Sequence, residues 1–489
     1  MIDWKSLIPE STLATLLGRG LGRYQRAIHS GLLWFLGELP AARQRAIVGH
    51  QTALPPCSTA AQRLGRLALS CPVLHKLGQI LARDERLDPE LRAHLQLLES
   101  LPSSIPIEGL HRLVERELGS TSPIQVEPPA LAEASVAVVV PFRGVARGAP
   151  ASGVLKLLKP GVEENLEEEL EVLGRLGAYL DESCESLGIP PLDYEELFEN
   201  LRAKLSMEVR LDQEQRHLDE ARHAHASNRR VWIPERFDFC TPKLTAMERV
   251  RGVKVTDFPF QGSLERRFAA ELLVESLIAR PIFSRESLSM IHGDPHAGNL
   301  FWTEDHRLAI LDWSLVGHLG ERERAGVSRI LLAASVMDGR WMSELVEGLM
   351  TDGIHDPAAL QAVVADNLRQ IRQGGFPGFS WLLNLLDEVA SSVRGHPSAD
   401  LLLFRKSMHQ VQQVVSAVSA GPGLIDEVLA RWFLAQLAGE WPTRWFRELD
   451  SHAFPTGLSN ADLLRWMRAV PWTAARYWLE TAHDLLNPR

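Results

Sequence analysis

Apolar and polar positions alternate at helical spacing from residue 1 to about 120, with breaks at Pro40, Pro55 to Ser58 and Pro102 to Pro106. This pattern predicts a helical N-terminal region. One of its helices runs through Leu74, Leu77, Ile80 and Leu81 and also carries Lys76, Gly78 and Gln79. A glycine inside a helix costs about 1 kcal/mol relative to alanine and marks a close approach. From Ile124 the period shortens. Ile124 to Val126, Val136 to Val140 and Val154 to Leu158 are β-branched runs joined by turns rich in Pro, Gly and Ala, which predicts a small antiparallel sheet. Lys156 lies inside the third run.

Gly161 to Leu187 reads as an acidic helix whose Glu163, Glu164, Glu167, Glu168, Glu169 and Glu171 form a solvated face. Tyr194 to Ala224 reads as a second long helix, on which Glu208 and Asp212 share a face, as do Arg210 and Glu214. Short strands are expected at Val231 to Ile233 and Leu244 to Met247. Leu300 to Trp302 and Leu308 to Leu311 flank the polar stretch Thr303 to Arg307, which predicts a β-hairpin. After Gly320 the pattern is helical to the end, with helices over Arg322 to Met337 and Met342 to Met350. Ser407 to Ile425 is uncharged, but its His409, Gln410, Gln412 and Gln413 make it a buried bundle helix and not a membrane span.

Chemistry concentrates around the hairpin. Asp294 precedes its first strand, Asn299 follows five residues later, and Asp312 follows its second strand. In phosphoryl transfer by protein kinases, a loop Asp accepts the acceptor hydroxyl's proton, and an Asn and a second Asp hold Mg²⁺ against the nucleotide phosphates. His292, Gly293, Pro295 and Gly298 complete the motif. Two other readings stand beside it: a surface turn in which Asp and Asn cap backbone groups, and a zinc site built from His292, Asp294 and His296. The zinc reading leaves Asn299 and Asp312 without roles. Lys156 is either an edge-strand charge or the lysine that a kinase sets against the phosphates; its position ahead of Asp294 favours the second.

Composition narrows the class further. The 489 residues are 45% hydrophobic and 23% charged, enough for two or three domains, and the formal net charge of −10 argues against a nucleic-acid partner. Cys57, Cys71, Cys184 and Cys240 are scattered without CxxC spacing and are expected to be reduced, buried thiols. The absence of a long apolar run and of a signal-peptide order at the N-terminus leads to the expectation of a cytoplasmic protein.

Between about Pro72 and Gly320 the sequence resembles the UbiB/AarF family of atypical protein-kinase-like proteins. The motifs are KLGQ at 76–79, LAEAS at 131–135 in place of a Gly-rich loop, VLKLLKPGV at 154–162, Glu208 and Glu214, MERVRGVKV at 247–255, HGDPHAGN at 292–299 and LDWSLVG at 311–317. The resemblance implies an α+β, two-lobed kinase-like fold. A helical extension would cover residues 1–120, the N-lobe 121–250, and a helical C-lobe with its tail 251–489. It implies ATP and Mg²⁺ as cofactors. Lys156 would pair with Glu214, Ala132, Ala134, Ser135 and Met247 would line the nucleotide site, Asp294 would be catalytic, and Asn299 and Asp312 would hold the metal. Lys76 and Gln79 would pack near Glu208 as an auto-inhibitory element. It further implies ATPase or small-molecule kinase activity in quinone or other isoprenoid-lipid metabolism, with a lipid or small-molecule substrate.

The chain departs from the family pattern twice. Arg210 stands where a second acid of an ExD pair would fall, with Asp212 as a substitute one turn after Glu208, and Ser314 stands where a glycine follows the metal-binding Asp and its aromatic neighbour. The HGD loop also resembles aminoglycoside-phosphotransferase-like kinases, and a pseudokinase scaffold is the alternative from another class. Six Trp in the tail, Trp432, Trp441, Trp445, Trp466, Trp472 and Trp478, are interleaved with arginines. They are expected either to close a helical bundle or to make peripheral contact with a membrane, with the bundle favoured.

Overall fold

The computed structural model describes residues 2–17, 22, 24–81, 89–96, 105–190, 193–351, 353–354, 356–393, 397–419, 421 and 423–486. The chain is α+β and forms two compact units, one of Met1–Asp219 with Glu235–Arg249, the other of Glu220–Pro234 with Val250–Arg489.

The first unit begins with helices and then turns to sheet. Strands β1 (Gln125–Val126), β2 (Ala132–Glu133), β3 (Ala137–Ala146), β4 (Ala149–Leu158) and β6 (Leu244–Met247) form one sheet, with β3 and β4 as its central antiparallel hairpin. The hairpin is longer than the β-branched runs suggest. Its turn shrinks to Arg147 and Gly148, both at positive φ (49° and 79°), so the stretch expected to be a loop continues the ladder. Along β4, Leu155 and Leu157 are buried with Val138, Val140, Phe142 and Leu244 under the helix Ile107–Leu118. The two-residue period therefore puts Lys156 on the opposite face. That face meets a second core, in which Leu158 and Val136 join Leu166, Leu170 and Leu173 of the helix Val162–Leu187.

The long pattern Tyr194 to Ala224 is two helices, Tyr194–Met207 and Leu211–His225, with Glu208 to Arg210 between them. The side chains expected to pair at (i, i+4) take other partners: Glu208 meets Lys76, Arg210 meets Asp212 and Glu214 meets Lys156. Glu169 is not solvated but fully buried. It accepts from Arg43 Nη2 at 2.5 Å and from the backbone N–H of Val73, in the first turn of the helix Pro72–Leu81, at 2.9 Å. Burial pushes its carboxyl up to about 7, against the pull of the Val73 N–H and Arg43. All four cysteines are free, but Cys57 is exposed and only Cys71 is fully buried.

In the second unit, β5 (Val231–Trp232), β10 (Leu308–Ile310), β9 (Leu300–Thr303) and β7 (Gly252–Lys254) make a four-stranded sheet in that order. The predicted hairpin is its centre, with Leu308 opposite Trp302. Strands β8 (Leu288–His292) and β11 (Val316–Gly320) pair antiparallel, with Val316 opposite His292. Helices then follow to Leu486, among them Ala399–Val418, Leu424–Arg444 and Asn460–Leu486. No helix among the described residues is long and apolar enough to cross a membrane.

Candidate active site

In the first unit, Lys156 Nζ lies 2.7 Å from both carboxylate oxygens of Glu214 on the helix Leu211–His225. Both side chains are largely buried, at 16% and 7% exposure, so the pair is held in a low-dielectric setting where removing one partner strands the other. Next along the same helix, Gln215 donates to Thr241 O and to Thr245 Oγ1, which fixes the helix to β6 beside Lys156. Met247 closes β6 opposite Val154.

Glu208 is a hub. Its Oε1 is 2.5 Å from Lys76 Nζ, and its Oε2 accepts from Ser135 Oγ at 3.0 Å. The KLGQ helix and the LAEAS loop are thus joined through one carboxylate. In that loop the Ala134 N–H donates to Ala137 O at 2.8 Å. Ala132 lies on β2 with Glu133, whose carboxylate meets Lys159 Nζ at 2.7 Å in a mostly buried pair. Sequence reasoning passed over Glu133 and Lys159, although a charge inside LAEAS and a second lysine in VLKLLKPGV were the available signals. The side chain of Gln79 lies outside the described residues. Arg210 is turned to Asp212, with Nε to Oδ1 at 3.0 Å, and Asp212 also receives Arg216. Asp212 is thus occupied by two arginines, and the Arg210 side chain lowers its carboxyl pKa.

In the second unit, His292 ties the two loops of the hairpin's hot end together. Its Nε2 lies 2.9 Å from Leu311 O, and its Nδ1 accepts the N–H of Asp294 at 3.1 Å. The ring is therefore the Nε2–H tautomer, packed 4.6 Å from the Trp313 ring, and burial holds its pKa below the ordinary histidine value. Both ring nitrogens are in use, so the zinc reading of His292, Asp294 and His296 fails on donor availability. No group of three potential His, Cys, Asp or Glu ligands occurs among the described residues.

The loop is further fixed by Asn299 Nδ2, which donates to Asp294 O at 3.1 Å, and by Gly293, whose N–H reaches Leu315 O at 2.8 Å. A Cβ at Gly293 would fall 2.6 Å from Leu315 Cγ, so this crossing of the two loops requires glycine. Asp312 sits at φ 58° and accepts the Ser314 N–H at 3.3 Å. Asp is among the few non-glycine residues that take this left-handed conformation with local hydrogen-bond support.

Asn299 and Asp312 fit a magnesium site chemically. Mg²⁺ is bound by hard oxygens, typically one or two carboxylates plus substrate phosphates. With its amide nitrogen engaged by the loop, Asn299 offers its oxygen, and Asp312 offers a carboxylate. When bound, the ion would supply charge neutralisation at the phosphates.

Asp294 has partners that the local sequence does not disclose. Gln410 Nε2 donates to its Oδ1 at 2.6 Å, Lys406 Nζ lies 3.5 Å from the same oxygen, and His296 Nε2 is 3.6 Å from Oδ2. Both Lys406 and Gln410 come from the helix Ala399–Val418, which was expected only to fill a bundle.

A family model described as the ABC1 atypical kinase-like domain matches residues 97–346, just over half of the chain. The chain belongs to this family. Its UbiB/AarF relatives include the probable protein kinase UbiB of Actinobacillus pleuropneumoniae, 26% identical over 403 residues that span 78% of this chain and 71% of the relative. The probable protein kinase UbiB of Pseudomonas putida is 27% identical over 312 residues, 60% of this chain and 55% of the relative. A Mycobacterium tuberculosis protein solved in complex with erythromycin aligns over 80% of this chain and 92% of its own, at 18% identity and a TM-score of 0.49. The ABC1 match ends at residue 346, ahead of the helix that carries Lys406 and Gln410.

Proposed function

We propose that this ABC1-family chain binds Mg²⁺-ATP and catalyses phosphoryl transfer to water or to a small-molecule or lipid hydroxyl, in support of quinone or other isoprenoid-lipid metabolism. The observation that carries the reading is the His292 tie. It fixes the Asp294 loop to the end of the strand that delivers Asp312, as a proton acceptor and a metal ligand serving one reaction require. In this reading Lys156, held by Glu214, binds the phosphates, and Ala132, Ala134, Ser135 and Met247 line the nucleotide. Asn299 and Asp312 hold Mg²⁺, and Asp294 takes the acceptor's proton. Residues 1–120 act as a regulatory extension through Lys76, Gln79 and Glu208, with 121–250 and 251–489 as the two kinase lobes. Turnover of Mg²⁺-ATP, measured alone and with phenolic or isoprenoid compounds, tests the proposal. Asp294→Asn should keep nucleotide binding and lose turnover by at least about 100-fold. Turnover stimulated by aminoglycosides and not by isoprenoids would favour the aminoglycoside-kinase alternative, and nucleotide binding without any turnover the pseudokinase scaffold.

A second element of the reading is peripheral membrane contact. Its support is an exposed aromatic patch near the end of the helix Leu424–Arg444 and just beyond it, where Trp445 and Phe446 are 76% and 88% exposed and Trp441 stands beside Trp445. Arg447, next to Phe446 in the chain, is exposed as well. Aromatic side chains with neighbouring cations suit the headgroup region of a bilayer.

A further inference from the structure

The catalytic loop His292 to Asn299 contains no Lys or Arg. Phosphoryl transfer nevertheless develops negative charge on the equatorial oxygens and the leaving oxygen, and fixed cations placed there are a main source of rate. His296, two residues after Asp294, does not fill that place. Its Nδ1 accepts the Gly298 N–H at 3.0 Å, which commits the ring to closing the turn, and a Cβ at Gly298 would fall 2.9 Å from that nitrogen.

A cation arrives from elsewhere in the same unit. One face of the helix Ala399–Val418 is fastened to the loop system at three levels. Asp400 Oδ1 accepts the His318 N–H at 3.1 Å, Ser407 Oγ donates to His292 O in a short, fully buried hydrogen bond, and Gln410 Nε2 donates to Asp294 Oδ1 at 2.6 Å. Spacings of seven and three residues place these groups on one stripe of the helix. Lys406 lies beside Ser407, so its ammonium is delivered to 3.5 Å from Asp294 Oδ1, while its side chain stays half exposed. A contact of that length is loose enough to be exchanged for a stronger anion. Gln410 is the opposite case, since its contact is short and its Oε1 is buried.

We propose that Lys406 is the cation that meets the transferring phosphoryl group, and that Gln410 is the positioning residue that holds the Asp294 carboxylate through Oδ1. This rests on the phosphoryl-transfer reading above. In the step, the acceptor oxygen bonds to the γ-phosphorus as its proton passes to the Asp294 carboxylate. The bond from γ-phosphorus to the bridging oxygen breaks, and its electron pair leaves with ADP. Lys406 keeps its protons and moves its charge from Asp294 to the phosphoryl oxygens.

The full-length chain tests this with calorimetry of ATP and ADP in Mg²⁺, together with steady-state hydrolysis. Lys406→Met should reduce the preference for ATP over ADP by about 10-fold and kcat by about 10- to 100-fold, because one charge-assisted contact to the γ-phosphoryl group is lost. Lys406→Arg should recover most of both. Arg405→Met removes the neighbouring cation of the same helix, which faces Asp387 of the helix Phe379–Ser392, and should leave the ATP-to-ADP ratio unchanged. Gln410→Leu should lower kcat and leave KM and the ratio in place. A parental ATP-to-ADP ratio and kcat in Lys406→Met would overturn the proposal, as would equal loss in the Arg405 control. If the parent binds both nucleotides equally and turns neither over, the phosphoryl-transfer reading itself fails, and this one with it.

Discussion

Asp312 combines two demands on one residue. Its backbone is held in the left-handed region at φ 58°, and its side chain is the one carboxylate of the proposed metal pair. Asparagine tolerates the same backbone conformation, so Asp312→Asn isolates the charge. It should fold normally and lose Mg²⁺-dependent ATP affinity by about 10-fold or more, since an amide oxygen cannot match a carboxylate for a hard divalent ion; unchanged calorimetric affinity would remove Asp312 from the metal site. Glu208 poses a different question at the same scale, because its two oxygens serve Lys76 and Ser135 at once. Releasing it with Lys76→Ala should free the LAEAS loop and raise ATP turnover by about 10-fold, the worth of one charge-assisted hydrogen bond. Arg210→Ala should change turnover less than about twofold, because its half-exposed guanidinium faces Asp212 and exposed pairs are worth little. Equal turnover in Lys76→Ala and the parent would show that the Lys76–Glu208 contact is not inhibitory.

The tail helices are where packing separates residues that look alike in sequence. Arg444 is buried against Glu440 and Thr456, and Arg465 pairs with Asp338 over the Trp341 ring, so these arginines hold the fold. Trp466 donates to Ser335, and Asp462 accepts from Ser459 and from Arg329. Truncation after Ser459 would remove the Asp462, Arg465 and Trp466 contacts and leave the exposed Trp445 and Phe446 in place, so those two side chains are the better probes. Anionic liposomes at low salt should co-sediment the full-length protein, and the double change Trp445→Glu, Phe446→Glu should abolish this without lowering Tm. Retained sedimentation in that variant would place the contact elsewhere. The hairpin at 300–310 was legible from sequence because its apolar runs and polar turn are contiguous. The break at Glu208 to Arg210 was not, because helical periodicity runs through it unchanged. Lys406 and Gln410 were invisible as site residues for another reason: more than 100 positions separate them from Asp294, and it is the docking of their helix, through Asp400 on His318 and Ser407 on His292, that brings them there.

At the scale of the molecule, each unit holds a buried group, Glu169 in one and His225 in the other, and these two groups respond to pH in opposite directions. In the first, the buried carboxyl of Glu169 has its pKa raised by burial to about 7, against an ordinary value of 4.5. The folded unit therefore binds more protons than the unfolded chain between these values, and stability from this group declines as pH rises, by about 2 kcal/mol from pH 5.5 to 7.5. In the second unit, burial, aided by the Arg280 charge, holds His225 down to about 3 from 6.5. Here the unfolded chain binds the extra proton. Stability from His225 is present above pH 6.5 and is lost as pH falls, by about 1.4 kcal/mol between pH 7.5 and 5.5. His292, also lowered by burial, adds to the same side. Hydrogen exchange followed by region, corrected for intrinsic rates, should therefore change in opposite directions between pH 5.5 and 7.5. Protection in the helix Val162–Leu187 should fall as pH rises, while protection in β8, β9 and β10 should grow. Glu169→Gln should flatten the first response and leave the second, and His225→Asn should do the reverse. Parallel changes in both regions, or the same profile in the variants as in the parent, would mean that other groups govern the acid limb.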